Sequence, residues 1–263
     1  MRILLTGLIT VFFWIVSQHP AAGQNQLRTI RNQAFRPGEK LNFRIHYGFV
    51  DAGTATLEVA PEVRKIGPRE CYHIVGSGRS AGAFDWFFKV RDRYESFTDR
   101  EALIPWLFLR KIEEGGYKKD QRVIFNHYRD SVSSEKSTIF MPKNTQDIIS
   151  AFYYARTIDF SNSKPGDVFP ITGYLDDQLL PLNIKYIGKE VITTSFGLFS
   201  CIVLRPMLQQ GRIFKDEEDM TVWVSDDLNR VPVRIQSNIL VGSIKMDLTG
   251  YENLMNTPAL KAK

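Results

Sequence analysis

Along most of this chain apolar and polar residues alternate one by one, and that period of two restricts the fold more than any other feature. In "LNFRIHYG" Leu41, Phe43, Ile45 and Tyr47 share one side while Asn42, Arg44 and His46 share the other, the pattern of a strand with one wet face. "TATLEV" answers it with Ala55, Leu57 and Val59, and the glycine-containing "FVDAG" between them predicts a hairpin. Gly115-Gly116 predicts a second, because a tight hairpin turn needs positive φ, which glycine adopts without strain. Near the end Val231, Val233 and Ile235 alternate with Arg230, Arg234 and Gln236, and Ile244, Met246 and Leu248 with Ser243, Lys245 and Asp247. Further turns are marked by Pro37-Gly38, Gly67-Pro68, Pro165-Gly166 and "DDLN" at 226–229. These runs amount to about a dozen strands joined by short turns, so the sheet is expected to be antiparallel.

One stretch breaks the period. In "NTQDIISAFYYARTIDF" Ile148, Ala151, Phe152 and Ala155 fall at i, i+3, i+4 and i+7, with Ser150 and Thr157 opposite and Tyr153 and Tyr154 flanking the stripe. This predicts a helix over about 145–158, with Asn144 capping the first turn and Asp147 reaching back in a variant capping box. A stripe so narrow suits a helix lying across a sheet. "AGAFDWFF" at 81–88 predicts a second, shorter helical piece of the same lid. The expected fold is mainly β with minor α: a large curved antiparallel sheet or open, incomplete β-barrel, covered by the two helical segments. A curved sheet under helices can enclose a pocket, and Trp86, Phe87, Phe88, Phe152, Tyr153 and Tyr154 are the aromatics available to line it or to complete the core.

The N-terminus sets the expected compartment. Arg2, the apolar run Ile3–Val16 and the small residues Ala21-Ala22-Gly23 have the form of a cleavable secretory signal over 1–23. A spanning helix needs roughly 20 apolar residues, more than this run offers. The remainder divides into one β-rich domain over 24–255 and a polar tail over 256–263; the whole sequence is 43% hydrophobic and 24% charged, enough to bury an ordinary core. A periplasmic location is expected, with an extracellular one as the alternative and membrane contact peripheral at most. Cys71 and Cys201 both sit in strand-like runs; an oxidising compartment permits a disulfide, and two buried thiols are the alternative. The 34 bases and 29 acids are interleaved, as in "RKIEEGGYKKDQR", which describes a solvated strand face rather than a nucleic-acid track.

Catalytic spacing is missing. His46, His73 and His127 lie in separate strand-like runs without metal-ligand spacing. Ser133 and Lys136 in "SSEK" have a serine–lysine spacing, but in a polar turn and without companion motifs. Asp176-Asp177 and Asp226-Asp227 fall at turns, where aspartate is favoured for local hydrogen bonding. No cofactor, metal or catalytic residue is expected.

"FRPGEKLNFRIHYGFVDAGTATLEV", "RDRYESFTDREALIPWLFLRKIEEGGY", "QDIISAFYYAR", "FGLFSCIVLRP" and "VWVSDDLNRVPVRI" occur in the order found in the domain of unknown function family numbered 3108. The resemblance covers about Phe35 to Glu252 and implies an envelope protein of Gram-negative bacteria, in the form found in Bacteroidetes. It carries no activity. At the level of fold it is similar to the open β-barrels of lipoprotein carriers, which hold acyl chains beneath a helical lid. The expected function is therefore a non-enzymatic periplasmic or envelope protein that binds or carries a lipid or other apolar ligand. The alternatives are a structural or assembly factor docking an envelope protein, and thirdly an envelope hydrolase.

Overall fold

Alternating runs become strands, and the turns between them are tight. The computed structural model describes residues 26–207, 220–238 and 242–261; the leader expected at 1–23 lies outside these. In chain order come β1 (Lys40–Tyr47), β2 (Val50–Val59), β3 (Arg64–Ile66), β4 (Arg69–Ser80), α1 (Gly82–Phe87), β5 (Arg91–Asp99), β6 (Pro105–Glu114), β7 (Tyr117–Asn126), β8 (Ser131–Ser133) and β9 (Thr138–Phe140). There follow α2 (Ile148–Ala155), β10 (Val168–Phe169), β11 (Thr172–Leu175), β12 (Gln178–Pro181), β13 (Ile184–Thr194), β14 (Gly197–Pro206), β15 (Met220–Ser225), β16 (Pro232–Asn238), β17 (Ser243–Glu252) and β18 (Leu260–Lys261). Eleven of these strands have six residues or more, which is the dozen visible in the alternation; the other seven have two to four, too short to show a period.

The strand pairs are antiparallel, and their order is β10-β13-β14-β15-β16-β17-β1-β2-β4-β5-β6-β7-β8-β9. β3 adds to β4, β18 to β14, and β11–β12 form a separate hairpin. The two ends of the path, β10 and β9, do not pair with each other, so the sheet is not closed into a barrel. They are nevertheless successive strands in the chain, and the segment 141–167 that joins them carries α2. The β1–β2 turn is Gly48-Phe49, with Tyr47 opposite Val50. At the β6–β7 turn Gly115 and Gly116 have φ of +55° and +92°, the conformation a two-residue hairpin requires.

The curvature is visible in what touches α2. Ile74, Phe108, Val123, Phe125 and Val132, from β4 to β8, form one core cluster with Ile149 and Tyr153. Ile184, Ile202, Leu204, Val222 and Val224, from β13 to β15, form another with Ala151. Strands far apart along the path reach the same helix only if the sheet curls around it. Among the described residues no helix is long and apolar enough to cross a membrane, which leaves strands out of account.

Two expectations about local structure change. The N-cap of α2 is Asp147, not Asn144: the Asp147 carboxylate accepts from the Ile149 and Ser150 amides, and Ser150 Oγ accepts from the Asp147 amide, a complete capping box. Asn144, at φ +63°, belongs to the turn before it. The segment 256–263, expected as a tail, is attached as far as it is described. Asn256 bonds Asn229 and Gln33, Ala259 donates to Asp227, and β18 pairs with β14. Of the two alternatives for the cysteines, the structure has the thiols: Cys71 on β4 and Cys201 on β14 are buried and free, in strands that are not neighbours. Burial pushes both thiols up to about 12.

Candidate functional site

α2 is held at both ends by buried polar groups. At its start, Ser96 on β5 donates to Asp147 Oδ2 at 2.6 Å. Burial raises the Asp147 carboxyl to about 6, against the pull of its bonds from Ser96, Ser150 and Ile149. Just past its end, Arg156 makes a two-pronged ion pair with Glu39 at 2.6 and 2.9 Å and donates to the Ala34 and Asn229 carbonyls. Both side chains are essentially fully buried. Burial alone would make the guanidinium easier to deprotonate, but Glu39 outweighs it and leaves Arg156 above its ordinary range.

Between these anchors the helix has two working flanks. Ile149 and Tyr153 pack into the β4–β8 core, where the Tyr153 ring meets Phe35 edge-on at 4.7 Å. Gly76 makes the approach close, since a Cβ there would lie 3.1 Å from Ile149 Cδ1. The other flank is the stripe Ile148, Ala151, Phe152 and Ala155. It faces β13–β15 across a cavity of about 290 Å³ whose far wall includes Ile184, Leu204, Val222 and Val224. The lining is almost wholly apolar apart from Arg156 and Arg230. The volume stands near the lower end of the roughly 300–1,000 Å³ common for small-molecule sites.

The six aromatics singled out in the sequence do not share one wall. Phe152 lines the cavity. Tyr153 is fully buried in the neighbouring core, and half-buried Tyr154 stacks beneath the Arg28 guanidinium at 4.2 Å. Trp86, Phe87 and Phe88 are exposed by 83%, 76% and 53%, on or just past α1, which buries none of its residues. They stand at the rim of the sheet, near the β6–β7 turn, where Phe88 covers Gly115. Six residues are too few for a helix to present an apolar face to a core, so α1 does not share the covering role of α2.

Sequence reasoning did not identify Ile184, Leu204, Val222, Val224 or Arg230 as cavity residues. The alternation shows that the aliphatic ones face inward, but only tertiary structure shows that their side of the sheet lies opposite the helix stripe. Arg230 counts by parity as a wet-face residue, yet its φ of +44° at the head of β16 lets its side chain line the cavity.

A larger groove of about 860 Å³ crosses β2 and β4–β7, but its walls carry Arg79, Arg91, Arg93, Lys111, Glu113 and Asp120 and do not suit an apolar guest. Asp92, also in this groove, is raised to about 6 by burial and by Glu114 beside it. The histidines are engaged separately: His46 with Asp247 at 3.1 Å, His73 with Glu95 at 2.6 Å, and His127 with the Pro105 carbonyl at 2.8 Å. Ser133 bonds Thr138 while Lys136 pairs with Asp177, so the serine–lysine spacing does not bring the two together as partners. Asp176 and Asp177 occupy a two-residue turn at positive φ. Among the described residues no group of three or more His, Cys, Asp or Glu could hold a metal ion.

Residues 42–249 match the model of the family described as Protein of unknown function (DUF3108). The chain belongs to that family. None of the curated proteins compared with it matches. Among solved structures, this DUF3108 member is similar to a β-barrel-like protein of the DUF1849 domain from Brucella abortus. There the TM-score is 0.53 at 10% identity, over 83% of this chain and 99% of the other. At that identity the likeness shows the fold alone. Weaker matches are a Bacteroides fragilis chain described as a "putative exported protein with YmcC-like fold" (TM-score 0.33, 9% identity, 87% of this chain and 100% of the other) and a "putative lipoprotein" from Parabacteroides distasonis (TM-score 0.32, 12% identity, 86% and 100%).

Proposed function

We propose that this chain is a non-enzymatic binding or carrier protein of the cell envelope, holding the apolar part of a lipid or acyl-type ligand between α2 and β13–β15. One observation carries the reading: a cavity of about 290 Å³ is walled by aliphatic and aromatic side chains from a helix stripe on one side and three strands on the other. An apolar hollow of this size gains little from water, which needs two to four polar partners, and gains from apolar surface at about 25 cal/mol per Å² buried. The signal-like pattern over 1–23 supports export. The separate engagement of the histidines supports a role without catalysis.

A second reading, a factor that docks an envelope protein, is favoured by the exposed aromatics Phe49, Trp86, Phe87 and Phe88 at one rim. Native mass spectrometry of protein purified from its own envelope separates the two. The carrier reading expects an adduct of lipid mass that solvent extraction removes, and expects Ala155→Phe, which fills the cavity, to abolish it without unfolding the protein. A protein partner in place of the adduct, retained by Ala155→Phe and lost on Trp86→Ala, would favour docking. A wild-type protein that carries nothing and takes up no added acyl chain would end the carrier reading.

A further inference from the structure

The two cations in the cavity wall differ in one respect that names the guest. Arg156 is neutralised, with Glu39 taking two of its bonds and the Ala34 and Asn229 carbonyls taking others. Arg230 is not. Its Nη1 donates to the Arg156 carbonyl at 3.0 Å and its guanidinium lies 5.9 Å from the Phe160 ring centre, but its Nε–H is shielded from solvent and has no acceptor. Among the described residues, of the buried side-chain polar atoms left without a partner, it is the one that belongs to a residue of this cavity's wall. A buried donor without an acceptor costs free energy, so the Nε–H of this half-buried residue calls for a missing partner.

The acids around Arg230 do not fill that place. Asp159, Asp226 and Asp227 lie close enough to favour its charge, yet each is engaged elsewhere. Asp159 accepts from the Ser161 amide, and Asp226 pairs with Lys189. Asp227 accepts from Ser225 and from the Asn229, Arg230 and Ala259 amides, so it keeps its charge but bonds its own turn and not the Arg230 guanidinium. Burial outweighs all three and makes the Arg230 guanidinium easier to deprotonate than usual.

Resting on the carrier reading, we infer that the guest is an anionic amphiphile: an acyl or alkyl chain in the apolar hollow, with a carboxylate or phosphate head accepting from Arg230. Both heads are planar or multidentate oxygen acceptors, which suit an arginine fork. Arg230 is then a specificity residue, and Arg156 stays a structural one.

The test holds the chain constant and changes the head. Binding of decanoate, decyl phosphate and decanol is measured by isothermal titration on the wild-type protein and on Arg230→Met and Arg230→Lys. The expected result is that at least one of the anions binds about tenfold or more tightly than decanol, as an added charge-assisted hydrogen bond would give. Arg230→Met should lose that preference while decanol binding is retained, and Arg230→Lys should keep part of it. Which anion wins distinguishes a fatty-acid head from a phospholipid head. Equal affinity for all three on the wild type, or a preference that survives Arg230→Met, overturns the inference and leaves the apolar cavity standing. No binding of any of the three removes the carrier reading as well. Should Arg230→Met fail to fold, the wild-type ratio and the Lys variant still decide.

Discussion

Replacing Glu39 by Gln tests whether the helix is moored as described. The Glu39 and Arg156 side chains are 0% and 1% exposed, so neither charge has water to turn to. The substitution keeps the shape and removes the charge. Arg156 keeps its bonds to the Ala34 and Asn229 carbonyls, but one prong of its pairing with Glu39 now meets an amide N–H instead of an oxygen. Breaking a buried pair from one side leaves a desolvated charge and costs about 3–5 kcal/mol, several times what an exposed pair contributes. Urea unfolding followed by tryptophan fluorescence reads this, because Trp106 is buried in the fold. The expected result is a midpoint lowered by that amount divided by an unchanged m-value. Combined with Arg156→Met, a double-mutant cycle should give a coupling of about 2 kcal/mol or more. A loss under about 1 kcal/mol for Glu39→Gln, or a coupling near zero, would show that the pair is solvated and that the helix end is not fixed in the way described.

Two further outcomes are expected. Asp147 titrates near 6 when folded against an ordinary value of 3.8, so between about pH 4 and 6 the folded state holds a proton that the unfolded chain has released. Its contribution to stability therefore falls as pH rises through that window, by about 3 kcal/mol in all, and Asp147→Asn should remove this fall. A difference curve between the two proteins that is flat from pH 4 to 6 would refute it. Asp99 has the opposite sign, because Arg69, the Ala102 amide and Trp106 overcome the effect of burial and hold its carboxyl below the usual range, so its contribution is lost as pH falls. Cys71 and Cys201 should resist a thiol reagent at pH 8 in the folded protein and both react after denaturation without reductant. Denatured protein with no titratable thiol would mean that the pair is bridged.

What could be read from the sequence was local. The alternation in "LNFRIHYG" and its partners gave the long strands and their antiparallel order, and the spacing of Ile148, Ala151, Phe152 and Ala155 gave the helix and the stripe that lines the cavity. What could not be read depends on distant partners. Glu39 and Arg156 are 117 positions apart, and nothing in either neighbourhood announces a buried charge. The cap shifted from Asn144 to Asp147 because Ser96, a long-range partner, completes the hydrogen bonding of the latter. Trp86, Phe87 and Phe88 look like core residues by composition, and only the shortness of α1 and its place at the rim leave them in solvent. Arg230 was hidden by its backbone: alternation assumes extended residues, and a left-handed φ redirects the side chain.

On the carrier reading proposed above, the double anchoring of α2 would also govern how a ligand comes and goes. A helix pinned at one end through Asp147 to β5, and at the other through Arg156 to the chain just before β1, is a fixed beam, not a hinged door. Traffic past it has to be a matter of side chains turning aside, with two alanines offering clearance and Phe152 as the bulkiest obstacle. If the hollow holds a chain, as proposed, such a passage would sort by girth, admitting a slender unbranched tail more readily than a ring or a forked chain.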